Sequence, residues 1–489
     1  MKLNFAAYKD KVNACWIGKN IGGTMGAPYE CTHDILDVKG FVTKAGEVLP
    51  NDDLDLQLVW LVALEKIGPK AINALTLGEY WISMITPYWN EYGIGKANMR
   101  RGLMPPLSGD YENYWNNSNG AWIRSEIWAC TAPGSPAVAA KYALEDAKVD
   151  HGAGEGTFAA AFVAAMQSAA FVITDVRKCI EIGLAAIPAE SRMAKSIKFV
   201  MDCYDKGMAP MDARVAVQEM NADIGNGWFE APSNVAYAVI GLLWGEGDFK
   251  KTMITAINCG DDTDCTAATV GATLGIMYGM AGIPADWHEH LGDGIVTVSI
   301  AGGLNPKIPK TCTELTERVV EVAPWMLAAN RDLTDVRITE CGETEIPENI
   351  GEVMYESAAR VEKVIRELKP FTTNFACPNY SVQVTMEKAP DIEPGGEISF
   401  TVTITNNWQG NINEPFNLNL RWMLPEGFSI SGGRRAVFME PYSYRKPPFV
   451  TLNFTIKAGE VVNEINRAVL EISAVGRPTI MYIPITLLG

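Results

Sequence analysis

Three aspartates fall within four residues in the motif CGDDTDC, which spans residues 259–265. They are Asp261, Asp262 and Asp264, and the segment after them, up to Gly282, is almost wholly apolar or small. This pattern predicts a buried helix that begins at the acidic residues. Clustered carboxylates repel one another, and a hard divalent cation with oxygen ligands is the usual compensation when they are buried. The motif therefore predicts a metal site. The alternative is that the acids cap the helix and favour its dipole, but a single acid would be enough for that.

A second acidic cluster occurs earlier in the chain, at Asn51, Asp52 and Asp53. A strongly apolar stretch follows it and ends near Gly68. This predicts another helix, with Asn51 as its cap and the aspartates in its first turn. If the two helix starts face each other, they form an oxygen-rich site for one or two divalent ions. The competing explanation is that both clusters are ordinary helix caps.

Glycine spacing indicates how these elements pack. Glycines at 271, 275 and 279 recur every four residues, so on a helix they share one face, where a second backbone can come close. Residues 5–22 have apolar positions at helical spacing and lead through a Gly/Pro turn to Glu30. Glu30 is a candidate site residue, and the alternative is an ordinary surface glutamate.

Two further segments have the composition of ligand-binding loops. Residues 103–122 form a long loop rich in Pro, Gly and Asn with several aromatic residues, and such loops often line a ligand site. Residues 150–156 place a histidine and a glutamate between glycines, which let a backbone approach a ligand closely. A packed surface loop and a structural histidine are the alternatives. The candidate substrate-binding residues are Trp115, Arg124, His151, Gly152 and Glu155.

The composition limits the classes of protein to consider. Lys plus Arg is 41 and Asp plus Glu is 58, a net charge of −17, which argues against nucleic acid as a partner. The ten cysteines are scattered and form no CxxC pair, which indicates reduced thiols. No leader peptide is apparent, and the apolar runs 157–174 and 266–284 are rich in Ala and Gly, as in core helices. We expect a cytoplasmic protein that does not bind membranes; a homo-oligomer is compatible with the sequence.

The chain divides near residue 370. Before it, the sequence shows helical periodicity and no strand-rich stretch, which predicts an all-α domain over residues 1–370. Residues 371–489 alternate apolar and polar positions between turn residues, which predicts an immunoglobulin-like β-sandwich of about seven strands. The sandwich carries no catalytic motif, and a role in dimerisation or in carbohydrate contact is equally open.

Together these motifs resemble the ADP-ribosylglycohydrolase family, which includes the dinitrogenase-reductase-activating glycohydrolases. The residues that carry the resemblance are IGGTMGAPYE at 21–30, NDD at 51–53 and GDDTDC at 260–265, within about residues 8–330. The resemblance implies an orthogonal all-α helical bundle with a two-metal site, usually for Mg²⁺ and sometimes for Mn²⁺. It also implies hydrolysis of ADP-ribose linkages at the anomeric carbon of ribose.

The resemblance assigns roles residue by residue. Glu30 matches a position near catalysis in some members and is the candidate acid or base. Asp261 stands where the family often has glycine, and it is the second catalytic candidate, as a substitute ligand or a substrate contact. The implied metal ligands are Asn51, Asp52, Asp53, Asp262, Asp264 and Cys265.

Several positions depart from the family pattern. Asn51 and Cys265 stand where threonine is usual, and Gly23 replaces a frequent aspartate. Magnesium disfavours a sulfur ligand, so one metal position is expected to be weakened or lost. Two alternatives to an ADP-ribosyl substrate therefore stay open. The protein is either a glycosidase for another small glycoside or nucleoside-like substrate, or a non-catalytic ligand-binding homologue.

Overall fold

The computed structural model describes residues 1–225, 227–300, 307–377, 379–407, 416–440 and 448–489. The chain divides into two compact units. The helical unit comprises Met1–Lys96 and Glu112–Glu367, and the β unit comprises Ala97–Tyr111 and Leu368–Gly489.

The described residues form seventeen α-helices. They are α1 (Phe5–Gly26), α2 (Asp52–Ile67), α3 (Ala74–Met84), α4 (Asn90–Arg100), α5 (Leu107–Asp110), α6 (Glu126–Thr131), α7 (Pro136–Ala147), α8 (Glu155–Ala170), α9 (Val176–Ala185), α10 (Arg192–Asp205), α11 (Pro210–Met220), α12 (Ala231–Gly245), α13 (Phe249–Asn258), α14 (Thr263–Tyr278), α15 (Ala285–Leu291), α16 (Cys312–Ala329) and α17 (Ile350–Arg366). Short 3₁₀ helices occupy Ala27–Tyr29, Pro69–Ala71, Trp122–Arg124 and Met280–Gly282. Two short strands, β1 (Lys2–Asn4) and β2 (Arg337–Thr339), pair in parallel within the helical unit.

Helices α1 and α14 are in close contact along glycine-rich faces. A Cβ atom on Gly18 would lie 2.2 Å from the carbonyl oxygen of Gly271, and one on Gly275 would lie 2.2 Å from that of Ala14. The predicted close approach is therefore confirmed for two of the three spaced glycines. The prediction was wrong for Gly279, which follows the last residue of α14 and ends the helix with a φ of +67°.

We expect a single methyl group at this contact to destabilise the helical unit. In Gly22→Ala the new Cβ would lie 2.3 Å from the backbone carbonyl of Ala267, so the two helices must separate. The cost should be about 1–3 kcal/mol, seen as a lower midpoint of thermal unfolding by calorimetry. Gly40→Ala is the control, because no atom lies within 4 Å of its added Cβ. Equal midpoints for the two variants would contradict the tight contact.

The β unit contains nine strands in the described residues. They are β3 (Thr372–Ala376), β4 (Tyr380–Met386), β5 (Glu397–Asn406), β6 (Phe416–Met423), β7 (Ser429–Gly432), β8 (Ala436–Met439), β9 (Phe449–Lys457), β10 (Ile465–Ala474) and β11 (Ile480–Leu488). They form two antiparallel sheets, in the orders β3-β4-β5-β9-β7 and β11-β10-β6-β8.

Aromatic side chains join the two sheets. The ring of Trp422 from β6 lies 5.8 Å from Phe400 and 5.1 Å from Phe454, which belong to the other sheet. The Tyr380 hydroxyl donates a hydrogen bond across the sandwich to the carbonyl oxygen of Ile472 (3.0 Å). The predicted fold class, an all-α region followed by a β-sandwich, is confirmed, with nine described strands where about seven were expected.

The two apolar runs noted in the sequence are core helices, α8 and α14, and nearly all of their residues are buried. Among the described residues, no helix is long and apolar enough to cross a membrane. All ten cysteines are free, as their scattered spacing predicted.

Candidate active site

The helical unit contains an open cavity of about 940 Å³. Its wall is acidic and aromatic. The acidic lining residues are Glu30, Asp52, Glu91, Asp262 and Asp264, and the aromatic ones are Tyr88, Trp89, Tyr92, Trp228 and Phe229.

The starts of α2 and α14 meet beside this cavity, so the two acidic clusters of the sequence form one site. Ligand atoms of Asp53, Asp264 and Cys265 all lie within 4.8 Å of one another. A second such group comprises Glu30, Asp262 and Asp264. Asp264 belongs to both groups and is therefore the residue that joins them.

The chemistry of this cluster fits a divalent cation. Asp53 Oδ2 and Asp264 Oδ1 are buried, and neither accepts a hydrogen bond. Burial and the neighbouring carboxylates raise the pKa of Asp53 and Asp262 well above the usual range, and they raise that of Asp52 to about 7. Buried carboxylate oxygens without partners are costly, and a hard cation would satisfy them.

Neighbouring polar groups hold these carboxylates in place. Asn51 caps α2 as predicted, since its Oδ1 accepts a hydrogen bond from the Asp53 backbone N–H (2.8 Å). The Asn119 side chain donates to Asp262 Oδ2 (2.5 Å), and the Tyr92 hydroxyl donates to Asp52 Oδ2 (3.3 Å). Because the cap bond uses Asn51 Oδ1, metal ligation by that atom stays a prediction.

A buried lysine, which the sequence interpretation missed, lies behind the cluster. Lys19 Nζ is 3.1 Å from Glu126 Oε2 and 3.8 Å from Asp53 Oδ2, and it donates to the carbonyl oxygen of Ile123 (2.7 Å). Burial lowers its pKa, but Glu126 and Asp53 outweigh that effect and raise it. Lys19 therefore stays charged and offsets part of the negative charge of the site.

Glu30 lies at the cavity wall, just after the 3₁₀ turn that follows α1. Part of its side chain is open to solvent through the cavity, but its carboxyl group is flanked by Asp264 and Asp52. Desolvation and these neighbours raise its pKa to about 8 in the metal-free protein. A carboxyl group with this pKa can give up and take back a proton near neutral pH.

Cys265 has a specific contact in this site. Its Sγ donates a hydrogen bond to Asp53 Oδ1 (3.2 Å), and burial raises the pKa of the thiol well above its usual value. In the metal-free protein, Cys265 is therefore a neutral thiol that holds Asp53 in place through this hydrogen bond. Its predicted role as a metal ligand stays a prediction.

Asp261 is directed away from the cavity wall. Its carboxylate accepts hydrogen bonds from the Phe229 backbone N–H (3.2 Å to each oxygen) and from Asn234 Nδ2 (3.0 Å). Its backbone pairs with Thr32 and has a φ of +68°, a region that aspartate tolerates better than most residues. These contacts indicate that Asp261 positions the loop at Phe229. They do not support its predicted catalytic role.

The two roles of Asp261 can be separated by mutation. We expect Asp261→Asn to keep the backbone conformation, to lower stability by about 1–3 kcal/mol through lost acceptors, and to leave kcat within about tenfold of wild type. The measurements are thermal unfolding, metal content and steady-state kinetics. A loss of kcat of about a hundredfold with unchanged stability and metal content would instead support direct catalysis.

None of the five predicted substrate-binding residues is among the described residues that line the cavity. Trp115 packs against Trp228, with ring centroids 6.1 Å apart. Both carboxylate oxygens of Glu155 accept backbone N–H groups at the start of α10. Gly152 is buried and its carbonyl oxygen accepts a hydrogen bond from Thr157 (2.9 Å). Direct contact of these residues with a ligand is not supported by the geometry.

Arg124 and His151 belong to a buried polar chain. The guanidinium group of Arg124 contacts Asp146 (2.9 Å) and Asp150 (2.7 Å). His151 Nδ1 lies 2.9 Å from Asp150 Oδ1, and its Nε2 lies 3.2 Å from the hydroxyl of Ser118, a cavity-lining residue. Their influence on the cavity is therefore indirect and passes through Ser118.

The chain is similar to known proteins of one family. The family model for ADP-ribosylglycohydrolase matches residues 4–324. A 52-residue segment is 36% identical to the ADP-ribosylarginine hydrolase Tri1 of Pseudomonas putida (strain GB-1), covering 11% of this chain and 14% of that protein. The ADP-ribosylarginine hydrolase Tri1 of Serratia proteamaculans (strain 568) is 37% identical over 54 residues, which cover 11% of this chain and 15% of that protein. The match thus spans only a small part of these relatives.

Among solved structures, an ADP-ribosylglycohydrolase-related protein complex is 19% identical. The match covers 66% of this chain and 99% of that chain, with a TM-score of 0.41. The family model spans more than half of the 489 residues and includes both acidic helix starts. The chain therefore belongs to the ADP-ribosylglycohydrolase family of hydrolases.

Proposed function

We propose that the protein is a metal-dependent hydrolase that cleaves a glycosidic bond at an anomeric carbon, in an ADP-ribosyl or related ribosyl conjugate. One observation carries the proposal. Buried oxygens of Asp53 and Asp264 that accept no hydrogen bond lie beside an open cavity, with Glu30 in the same cluster. The names of the similar ADP-ribosylarginine hydrolases support the choice of substrate class.

The residues of the chain divide the work of the reaction. Asp52, Asp53, Asp262 and Asp264 would hold magnesium, or manganese in its place, which when bound supplies charge neutralisation and Lewis-acid polarisation. Asn119 and the Tyr92 hydroxyl keep two of these carboxylates oriented.

Glu30 is the proposed acid and base. In the metal-free protein, burial and the neighbouring carboxylates raise the pKa of its carboxyl group to about 8, and a bound cation would lower this pKa, so the carboxylate is the form that enters the reaction. The carboxylate can take a proton from the attacking water, and the carboxylic acid so formed can give that proton to the departing group.

A second candidate substrate is a small glycoside without phosphate groups. Among the described residues that line the cavity, none is Lys, Arg or His, so a diphosphate would meet no cationic side chain there. This observation supports a neutral or cationic glycoside as the second candidate.

The test is a substrate panel with product analysis by mass spectrometry. ADP-ribosyl-arginine, ADP-ribosyl-serine and simple glycosides are each incubated with magnesium and with a chelator. Hydrolysis of an ADP-ribosyl conjugate that stops on chelation supports the first candidate, and hydrolysis of simple glycosides alone supports the second. No hydrolysis, together with no metal by elemental analysis, would identify a non-catalytic binding protein.

A further inference from the structure

The two groups of ligand atoms in the acidic cluster have different surroundings. The outer group comprises Glu30, Asp262 and Asp264, and all three residues line the open cavity. The inner group comprises Asp53, Asp264 and Cys265. Asp53 is fully buried and is not among the described residues that line the cavity. A cation in the inner group would therefore depend on what surrounds Asp53.

Contacts within the protein already engage the atoms around Asp53. Its Oδ1 accepts a hydrogen bond from Cys265 Sγ (3.2 Å), and its Oδ2 lies 3.8 Å from Lys19 Nζ. Asn51 Oδ1 accepts a hydrogen bond from the Asp53 backbone N–H (2.8 Å). Asn51 Nδ2 fills the space at Gly23, where a Cβ would lie 1.7 Å from it. The Asp53 side chain is thus held from two sides, and one side carries a positive charge.

Helix α1 fixes the position of that charge. Lys19 follows Gly18, whose close contact with the backbone of Gly271 leaves no room for this part of α1 to shift. The Lys19 side chain is buried, and its Nζ donates to the carbonyl oxygen of Ile123 (2.7 Å) and lies 3.1 Å from Glu126 Oε2. The ammonium group therefore cannot turn towards solvent and stays beside the inner group.

The balance of charge around Lys19 disfavours a further cation. Asp53 and Glu126 bring two negative charges, and Lys19 reduces the net charge of the three residues from −2 to −1. Glu126 is also held by Gln57 Nε2 (2.9 Å) and Gln167 Nε2 (3.2 Å). A divalent ion in the inner group would be repelled by the ammonium, and displacing the ammonium would leave Glu126 buried without its charged partner.

We propose that the protein binds a single divalent ion, held at Asp264, and that the Lys19 ammonium takes the place of a second ion beside Asp53. Lys19 is then a positioning residue, because it balances the charge of Asp53 without coordinating the ion. The inference rests on the proposed function for the idea that the cluster binds metal. It goes beyond that function in the number of ions and in the residue that sets this number.

The experiment counts the ions that the full chain binds. The protein is treated with a chelator, equilibrated with increasing Mn²⁺ and analysed for manganese per chain. Electron paramagnetic resonance then distinguishes an isolated Mn²⁺ from a magnetically coupled pair, because the ions of a two-metal site lie only about 3.5–4 Å apart. We expect wild type to saturate at a single ion per chain, without the signal of a coupled pair.

Variants show whether the ammonium excludes the second ion. Lys19→Met removes the charge from an unbranched side chain and should admit a second Mn²⁺ with the signal of a coupled pair. The double variant Lys19→Met, Glu126→Gln should do the same, and it leaves no carboxylate unpaired if the single variant does not fold. Cys265→Ser is the matched control. It replaces the sulfur by oxygen but keeps Lys19, so it should still bind a single ion.

Three results would overturn the proposal. They are a second ion in wild type, a single ion in both variants that lack Lys19, and a second ion in Cys265→Ser, which would make sulfur the cause of exclusion. Failure of the proposed function looks different. Absence of any bound ion from wild type would overturn the metal-dependent function and this inference together, whereas a single ion in a protein that hydrolyses nothing in the substrate panel would leave the inference standing.

Discussion

Replacing Asp264 by asparagine should abolish metal binding and lower kcat/KM by about a thousandfold or more. Bound metal contributes several kcal/mol to stabilisation of the transition state, and each 1.36 kcal/mol changes the rate about tenfold. Asp264 is the one residue that belongs to both groups of ligand atoms, with Asp53 and Cys265 on one side and Glu30 and Asp262 on the other. Its loss therefore affects every metal position that the site can offer.

The same substitution should have the opposite effect on the metal-free protein. Asp264 Oδ1 is buried without a hydrogen-bond partner, and its carboxylate raises the pKa values of Asp52 and Asp53. An amide removes this repulsion, so we expect Asp264→Asn to unfold at a higher temperature than wild type when both are treated with a chelator. With Mg²⁺ present, the order should reverse, because only wild type gains stability from binding.

Elemental analysis, kinetics and calorimetry with and without chelator provide the measurements. Asp37→Asn, at an exposed aspartate, is the control and should resemble wild type in all three. Full metal content and near-normal kcat/KM in Asp264→Asn would show that the cluster is not the metal site of this protein.

The second large effect is expected at Glu30. Glu30→Gln should lower kcat by about a hundredfold to ten-thousandfold, the usual contribution of a general acid or base. Glutamine keeps the size and polarity of the side chain but cannot exchange a proton. Because the four proposed metal-binding aspartates remain, we expect metal content and thermal stability to stay close to those of wild type.

Metal content decides how a loss of activity in Glu30→Gln is interpreted. Normal metal content with low kcat supports proton transfer, whereas loss of metal would make Glu30 a ligand. Glu47→Gln, at an exposed glutamate, is the matched control and should keep wild-type kcat. Unchanged kcat in Glu30→Gln would remove Glu30 from the mechanism.

Much of the fold was predictable because its signals are local. Helical periodicity and cap residues fixed the start of α2 at Asn51 and the start of α14 beside Asp262, and the structure confirms both. Alternation of apolar and polar residues after residue 370 predicted the β-sandwich in the same way. The resemblance to a family supplied the long-range step, that these two helix starts meet.

The parts of the site that were missed depend on contacts between distant segments. Glu91 is a single acid in the aromatic segment PYWNEYG, and it lines the cavity together with Ser118, which comes from a different loop. That aromatic segment was the available signal, although the sequence analysis favoured the aromatic loop at 103–122. Lys19 lies in the buried second half of α1, and its pairing with Glu126 is visible only in three dimensions.

Burial also separated the predicted binding residues from the cavity. A glycine-flanked His151 and a nearby Arg124 suggest ligand contact in sequence, yet both side chains are fully buried. Composition and spacing indicate which residues are polar, but not whether a second wall of side chains stands between them and the ligand. For Asp261 the same limit applies, since adjacent acids need not face the same way.

We propose that the clustered aspartates bind the divalent cation needed for hydrolysis. Anomalous X-ray diffraction from crystals soaked in Mn²⁺ can locate this cation. We expect an anomalous peak within coordination distance of the Asp264 carboxylate, with Asp53 or Asp262 as a further ligand. Saturating Mn²⁺ with no peak at this cluster, or a peak only at another place in the chain, would contradict it.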